Sequence, residues 1–141
     1  MYRIKIFSQG KTKEPYLNEA LSEYSKRLSP LLSIEWILLK EEEHLFSLLE
    51  KEPRFICLDA KGVLLTSEDF AEKLMNLFMQ ERSSLSFAIG GAQGFPPSIK
   101  KKAFLTLSLS PMTFPHQMAR LLLLEQIYRS FEIQKNSKYH K

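Results

Sequence analysis

Leu85-Ser86-Phe87-Ala88-Ile89 runs directly into Gly90-Gly91-Ala92-Gln93-Gly94. A short, largely apolar run of this kind reads as a strand buried on both faces, the mark of a largely parallel sheet. Parallel strands need crossover connections, so helices are expected on either side of it. Upstream, Phe70, Leu74, Leu77 and Phe78 form the buried stripe of a helix that starts at Thr66-Ser67-Glu68-Asp69. Before that helix, Asp59-Ala60-Lys61-Gly62 reads as a turn, closing a second buried strand over residues 55–58. Downstream, a short helix over residues 97–102 and a strand near residues 104–109 lead to the longest helical pattern, from Pro115 to Lys135. Leu121, Leu124, Ile127, Tyr128 and Phe131 lie on the apolar side of that pattern.

The amino-terminal half repeats the alternation. Residues 2–7 alternate as a strand, and Pro15 sits where the first turn of a helix begins. Leu17, Leu21, Tyr24 and Leu28 follow at helical spacing, and the helix ends near Ser29-Pro30. Residues 34–39 read as a strand. Glu41, Glu42 and Glu43 then open a short helix bearing Leu45, Leu48 and Leu49, with the acids at its positive end. Strand and helix alternate throughout, so the fold class is α/β, a single domain over residues 1–141.

Composition narrows the class. Twenty basic residues face sixteen acidic ones, a formal charge of +4 over 141 residues. No apolar stretch exceeds four residues, which excludes a membrane span of about 20 residues. The lone Cys57, inside Phe55-Ile56-Cys57-Leu58, suits packing in a reducing cytoplasm rather than a disulfide. The start of the chain lacks the apolar core of a secretory signal. Residues 98–141 hold eight of the bases but only Glu125 and Glu132 as acids. A basic third of this kind suits either an anionic partner such as nucleic acid or a merely solvated face.

Three segments bear on chemistry. Histidines at 44, 116 and 140 and the one cysteine lack metal-ligand spacing, so no metal site is expected. There is no G-x-S-x-G elbow and no Walker lysine. The glycine cluster after Ile89 lies where a parallel sheet commonly holds a ligand; the alternative is a tight turn into a proline-started helix. Leu107-Ser108-Leu109-Ser110-Pro111-Met112-Thr113-Phe114-Pro115-His116-Gln117 is a proline-bracketed loop, either ligand-binding or a stiff connector with His116 as a cap. Tyr139-His140-Lys141 has a composition that can stack on a base and touch phosphate, or is an ordinary frayed end.

Taken in order, these segments resemble the RlmH family, the small single-domain members of the SPOUT methyltransferases. The resemblance rests on Ile89-Gly90-Gly91-x-x-Gly94 and on Leu107-Ser108-Leu109-Ser110-x-Met112-Thr113-Phe114-Pro115-His116-Gln117-x-x-Arg120. Glu125-Gln126-x-Tyr128-Arg129, Tyr139-His140-Lys141 and the Tyr24-x-Lys26-Arg27-Leu28 helix end complete it. It implies a carboxy-terminal trefoil knot, a cytoplasmic homodimer, and S-adenosylmethionine-dependent methylation of N3 of a pseudouridine in helix 69 of 23S ribosomal RNA. By position, Leu58, Gly90, Leu109, Ser110, Pro111, Met112, Thr113 and Phe114 would hold the methyl donor. Tyr139, His140 and Lys141 would face the RNA, with Arg120 and His116 as supports.

Methyl transfer from a sulfonium needs alignment rather than a metal. The imide proton must leave; His140 could accept it, and Lys141 or Arg120 could stabilise the charge. The dimer is expected to pack through the long helix, whose apolar residues extend round more than one face. Two departures from the family stand out. The segment Lys40-Glu41-Glu42-Glu43-His44 is short and acidic where relatives are longer and basic, and Pro111 falls in a variable place of the loop. A SPOUT enzyme with another RNA target and a non-catalytic ribosome-binding protein are the rival readings.

Overall fold

The computed structural model describes residues 1–91 and 93–140. The chain runs β1 (Tyr2–Gln9), α1 (Pro15–Leu28), β2 (Leu32–Leu39), α2 (Glu42–Lys51), β3 (Ile56–Leu64), α3 (Ser67–Gln80), β4 (Ser84–Ile89), α4 (Pro97–Lys102), β5 (Leu105–Ser108) and α5 (His116–Gln134). Pro15 and Pro97 occupy the first turns of their helices. Thr66 caps α3 by accepting the Asp69 N–H at 3.0 Å, as its sequence predicts.

The five strands form one sheet in the order β2-β1-β4-β3-β5, every pair parallel. Side-chain alternation divides the apolar residues between its two faces. Ile4, Ile6, Ile56, Leu58, Leu85, Phe87 and Ile89 pack with buried residues of α1, α3 and α5. Phe7, Cys57 and Ala88 point the other way, against Leu45 and Leu49 of α2, Phe95, and Ile99 of α4. Helices therefore cover both faces, and β4 is buried along all but its first residue. Cys57 is fully buried, and burial pushes its thiol up to about 12, so it is a protonated packing group.

Residues 59–62 depart from expectation. They turn, with Asp59 Oδ1 accepting the Lys61 N–H at 2.9 Å, but they do not end the strand. Leu58 and Val63 both stand opposite Leu107, so the four residues loop out and β3 then rejoins β5. Gly62 makes the return possible. A Cβ there would lie 2.6 Å from the Thr106 carbonyl oxygen, closer than any side chain tolerates.

Candidate active site

A cavity of about 290 Å³ opens at the carboxyl ends of β3, β4 and β5. This is the edge where open parallel sheets hold ligands, because loops diverge there and leave backbone groups exposed. Leu58, Asp59, Ala60 and Lys61 supply one wall, and Ile89, Gly90, Gly91, Gln93 and Gly94 a second. Leu109, Ser110, Met112, Thr113 and Phe114 form the third, and His116 and Ala119 close it from the first turns of α5. The glycine cluster and the proline-bracketed loop, read separately in sequence, thus meet in one place. Of the residues expected at the donor, Pro111 alone does not line the cavity; it is exposed on the loop.

The glycine turn is built on itself. Gly94 N–H donates to the Gly91 carbonyl at 2.9 Å, and Gly94 has φ of +70°, a conformation that side chains resist. A Cβ at Gly90 would stand 3.1–3.2 Å from the Gly94 backbone and 3.2 Å from the Phe95 ring. A side chain at Gly90 would therefore press on the turn as well as on the cavity that Gly90 lines. The opposite loop is ordered by its serines: Ser108 Oγ donates to the Ser110 carbonyl at 2.9 Å, and Ser110 Oγ accepts Met112 N–H at 3.0 Å. Met112 is 74% exposed and Phe114 is exposed too, leaving apolar side chains at the rim.

Charge enters from residues that sequence reading missed. Asp59 and Lys100 form an ion pair at 3.2 Å on the cavity wall, and Lys61 lies beside them. An acid directly after a buried strand, at the ligand-binding edge, is the signal that could have found Asp59. Burial, then the charge of Arg120, holds the His116 imidazole below its ordinary range, favouring its neutral form. A neutral imidazole there adds no further positive charge to that of Lys61 and Lys100.

Arg120 does not reach this cavity, contrary to the substrate-side role expected of it. It is wholly buried, and its guanidinium donates to Ser8 Oγ (3.1 Å), Thr12 Oγ1 (2.8 Å) and the carbonyls of Gln9 (2.6 Å) and Gly10 (2.7 Å). Burial lowers its pKa to about 10, so it stays charged at neutral pH. It ties α5 to the end of β1 and to the loop that follows.

The tail folds back on its own chain. Tyr139 donates its hydroxyl to Glu125 Oε2 at 2.6 Å and meets the Tyr128 ring edge-on at 4.9 Å. Burial, then the bond to Glu125, pushes the Tyr139 phenol well above its ordinary value. His140 lies between Arg129 NH1, 3.0 Å from Nδ1, and Glu68 Oε2, 2.7 Å from Nε2. Arg129 can only donate and a carboxylate only accepts, so Nδ1 accepts and Nε2 carries the hydrogen. Held in this way, His140 has no free lone pair to receive an imide proton. Lys141 lies outside the described residues.

Neither Tyr139 nor His140 lines the cavity at the strand ends. A second cavity, of about 190 Å³, lies nearer to them. It shares Leu109 and Phe114 with the first, and it is otherwise lined by Leu65, Thr66, Ser67, Phe70, Leu107, Ser108, Leu122 and Gln126. Its Ser67 directly precedes Glu68, the partner of His140. Among the described residues no charged side chain lines it.

The basic excess of the last third is largely spent inside the molecule. Lys100 pairs with Asp59, Arg129 with Glu125 and Lys135 with Glu132. Lys102 Nζ donates to the carbonyls of Leu49, Glu50 and Glu52 at the end of α2, and Arg120 is buried. Among the described residues no cluster of three metal-binding side chains occurs, and no helix is long and apolar enough to cross a membrane.

A family model described as "Predicted SPOUT methyltransferase" matches residues 2–140. A "Ribosomal RNA large subunit methyltransferase H" from Protochlamydia amoebophila is 48% identical over the whole of both chains. A protein of the same description from Desulforamulus reducens is 41% identical, again over the whole of both. Among solved structures, a probable methylase family protein from Haemophilus influenzae superposes with a TM-score of 0.57 at 11% identity, covering 99% of this chain and 70% of that one. At that identity the likeness is one of fold.

Proposed function

The chain belongs to the SPOUT methyltransferase family, and from that premise we propose that it methylates N3 of a pseudouridine in helix 69 of 23S ribosomal RNA, with S-adenosylmethionine as donor. The observation that carries this reading is the cavity at the strand ends. Three remote segments converge on it, residues 58–61, residues 89–91 with 93–94, and residues 109–110 with 112–114, and the last two belong to motif blocks of the family.

The residues present fit the donor. Gly94 leaves a cradle that a side chain would fill, where a Cβ would come 3.2 Å from Asp59 Oδ2. Asp59 and Lys100 offer one charge of each sign to the zwitterionic amino-acid end of such a molecule. Leu58, Leu109 and the neutral His116 add no cation to the wall beyond Lys61 and Lys100. When bound, S-adenosylmethionine supplies an electrophilic methyl group on a positively charged sulfur. The chain's part is to align that methyl group with the attacking nitrogen and to exclude water. The second cavity, whose described lining is uncharged and which shares Leu109 and Phe114 with the first, would receive the target base beside the donor. Tyr139, His140 and Lys141 would complete the RNA side, with Arg129 holding a positive charge next to His140 that stabilises the base anion once its imide proton has passed to solvent before the site closes.

A cytoplasmic homodimer with the carboxy-terminal knot of the family completes the reading. Every residue of α5 is at least half-buried up to Ile133, because α1 and α3 flank it, so its apolar excess is partly spent within the chain. The exposed Val63, Leu64, Met112 and Phe114 add apolar surface for a second copy. The test is mass spectrometry of helix 69 after incubating ribosomes that lack the modification with the protein and S-adenosylmethionine. A gain of one methyl group on N3 of the pseudouridine is expected. Methylation at another nucleotide would leave a SPOUT enzyme with a different target, and no methylation of any RNA would favour a binding protein.

A further inference from the structure

Glu125, on α5, is the group from which the tail hangs. One of its oxygens accepts the Tyr139 hydroxyl at 2.6 Å, and the two together receive Arg129 at 3.1 and 3.3 Å. Arg129, so aligned, reaches His140 Nδ1 at 3.0 Å and lies 4.9 Å from the centre of the Tyr139 ring. Glu68 on α3 takes the other ring nitrogen of His140. None of Glu68, Glu125 and Arg129 lines either of the two adjoining cavities.

We propose that Glu125 and Arg129 are positioning residues for methyl transfer, which dock Tyr139 and His140 in one arrangement before RNA arrives. The proposal rests on the reading of the tail as a substrate-side element. A segment beyond the last helix with no regular structure would otherwise sample many conformations, and the cost of ordering it would fall on the transition state. An i,i+4 ion pair on an exposed helix surface does little more than support that helix. This pair differs on two counts. Glu125 and Arg129 are only 18% and 25% exposed, and both spend further hydrogen-bonding capacity on residues beyond the end of α5. The geometry also fixes which nitrogen of His140 carries its hydrogen, since Arg129 offers only donors and Glu68 only acceptors.

The experiment combines Glu125→Ala, Glu125→Gln, deletion of residues 139–141, and each substitution in the deleted chain. Single-turnover methyl transfer to ribosomes lacking the modification is read beside calorimetric affinity for S-adenosylmethionine. Glu125→Ala is expected to lower turnover about tenfold with cofactor affinity unchanged, and to add no loss in the deleted chain. Glu125→Gln keeps an oxygen for the Tyr139 hydroxyl and is expected to recover part of the loss, again without effect in the deleted chain. The ¹⁵N signals of the His140 ring should shift in Glu125→Ala, as the bond from Arg129 loosens. Losses that add to those of the deletion would overturn the proposal, as would full turnover in Glu125→Ala when the deletion is impaired. Should Glu125→Ala not fold, the same additivity test on Glu125→Gln decides. Full turnover in the deleted chain would instead remove the substrate-side reading of the tail, and this proposal with it.

Discussion

Arg120 and Arg129 stand nine residues apart on one helix, and the protein uses them in opposite ways. Arg120 is sealed from solvent and gives its N–H groups to two hydroxyls and two backbone carbonyls, all from residues 8–12. Arg129 is part-exposed, paired with a carboxylate, and turned toward the end of the chain. The first is a fastener and the second an aligning group. Charge in a sequence does not say which, because the role follows from burial and from the kind of acceptor on offer.

The widest separation between the two should appear in stability. Arg120→Met leaves buried carbonyls and hydroxyls without donors, each costing about 1–3 kcal/mol, so a total loss of about 3 kcal/mol or more is expected in urea unfolding. Arg129→Met should cost under about 1 kcal/mol, as part-exposed ion pairs do. Equal losses would erase the distinction. Next in size is an effect on turnover alone. Deleting residues 139–141 should reduce methyl transfer at least about tenfold, roughly 1.4 kcal/mol of transition-state stabilisation, with stability and cofactor affinity unchanged. A deleted chain that also lost cofactor affinity would mean that the Arg129 side reaches the donor cavity after all.

The smallest effect concerns pH, through the neighbour of Arg120. Folding holds the His116 imidazole below its ordinary value of 6.5, so the neutral form is favoured in the native state. Its contribution to stability is complete above that value and is lost as pH falls through the lower native one. Affinity for S-adenosylmethionine should weaken over the same acidic range, as a second positive charge appears beside the sulfonium. The demethylated product, which has lost the sulfonium charge, should respond less, and His116→Asn should flatten the difference. Calorimetry with both ligands at pH 5.5 and 7.5 measures it, and parallel losses for the two would place His116 away from the sulfur.

Glycine positions called for a different reading from the one that motif spacing suggests. Valine at Gly90 would both narrow the cavity and press on Gly94 and Phe95, so binding and folding are not separable there. Ala119, which lines the cavity from α5, offers a cleaner site. Ala119→Leu is expected to weaken donor binding at least about tenfold while the cooperative unfolding transition is kept.

The alternation of strands and helices was legible in the chain alone, because burial on two faces leaves an unbroken apolar run and burial on one stripe leaves a 3.6-residue period. Thr66 and the two helix-starting prolines were legible for the same reason: each acts within one turn of its own position. The meeting of the glycine turn with the serine-rich loop could be anticipated only from the resemblance to the RlmH family, since each segment read alone leaves a turn or a connector open. Residues 59–62 read locally as the end of a strand, since the Asp59–Lys61 bond is local while the return to β5 depends on a backbone 44 residues beyond Gly62. Arg120, Lys102 and the tail lie further out of reach. The acceptors of Arg120 are 108–112 residues away, those of Lys102 are carbonyls that no side-chain pattern marks, and the tail is held by Glu68, 72 residues upstream of His140, as well as by Glu125 and Arg129. Local periodicity sets which elements form, because it is a property of neighbouring residues. Which basic groups remain free to meet an anion depends on partners that the folded chain alone brings within 3 Å.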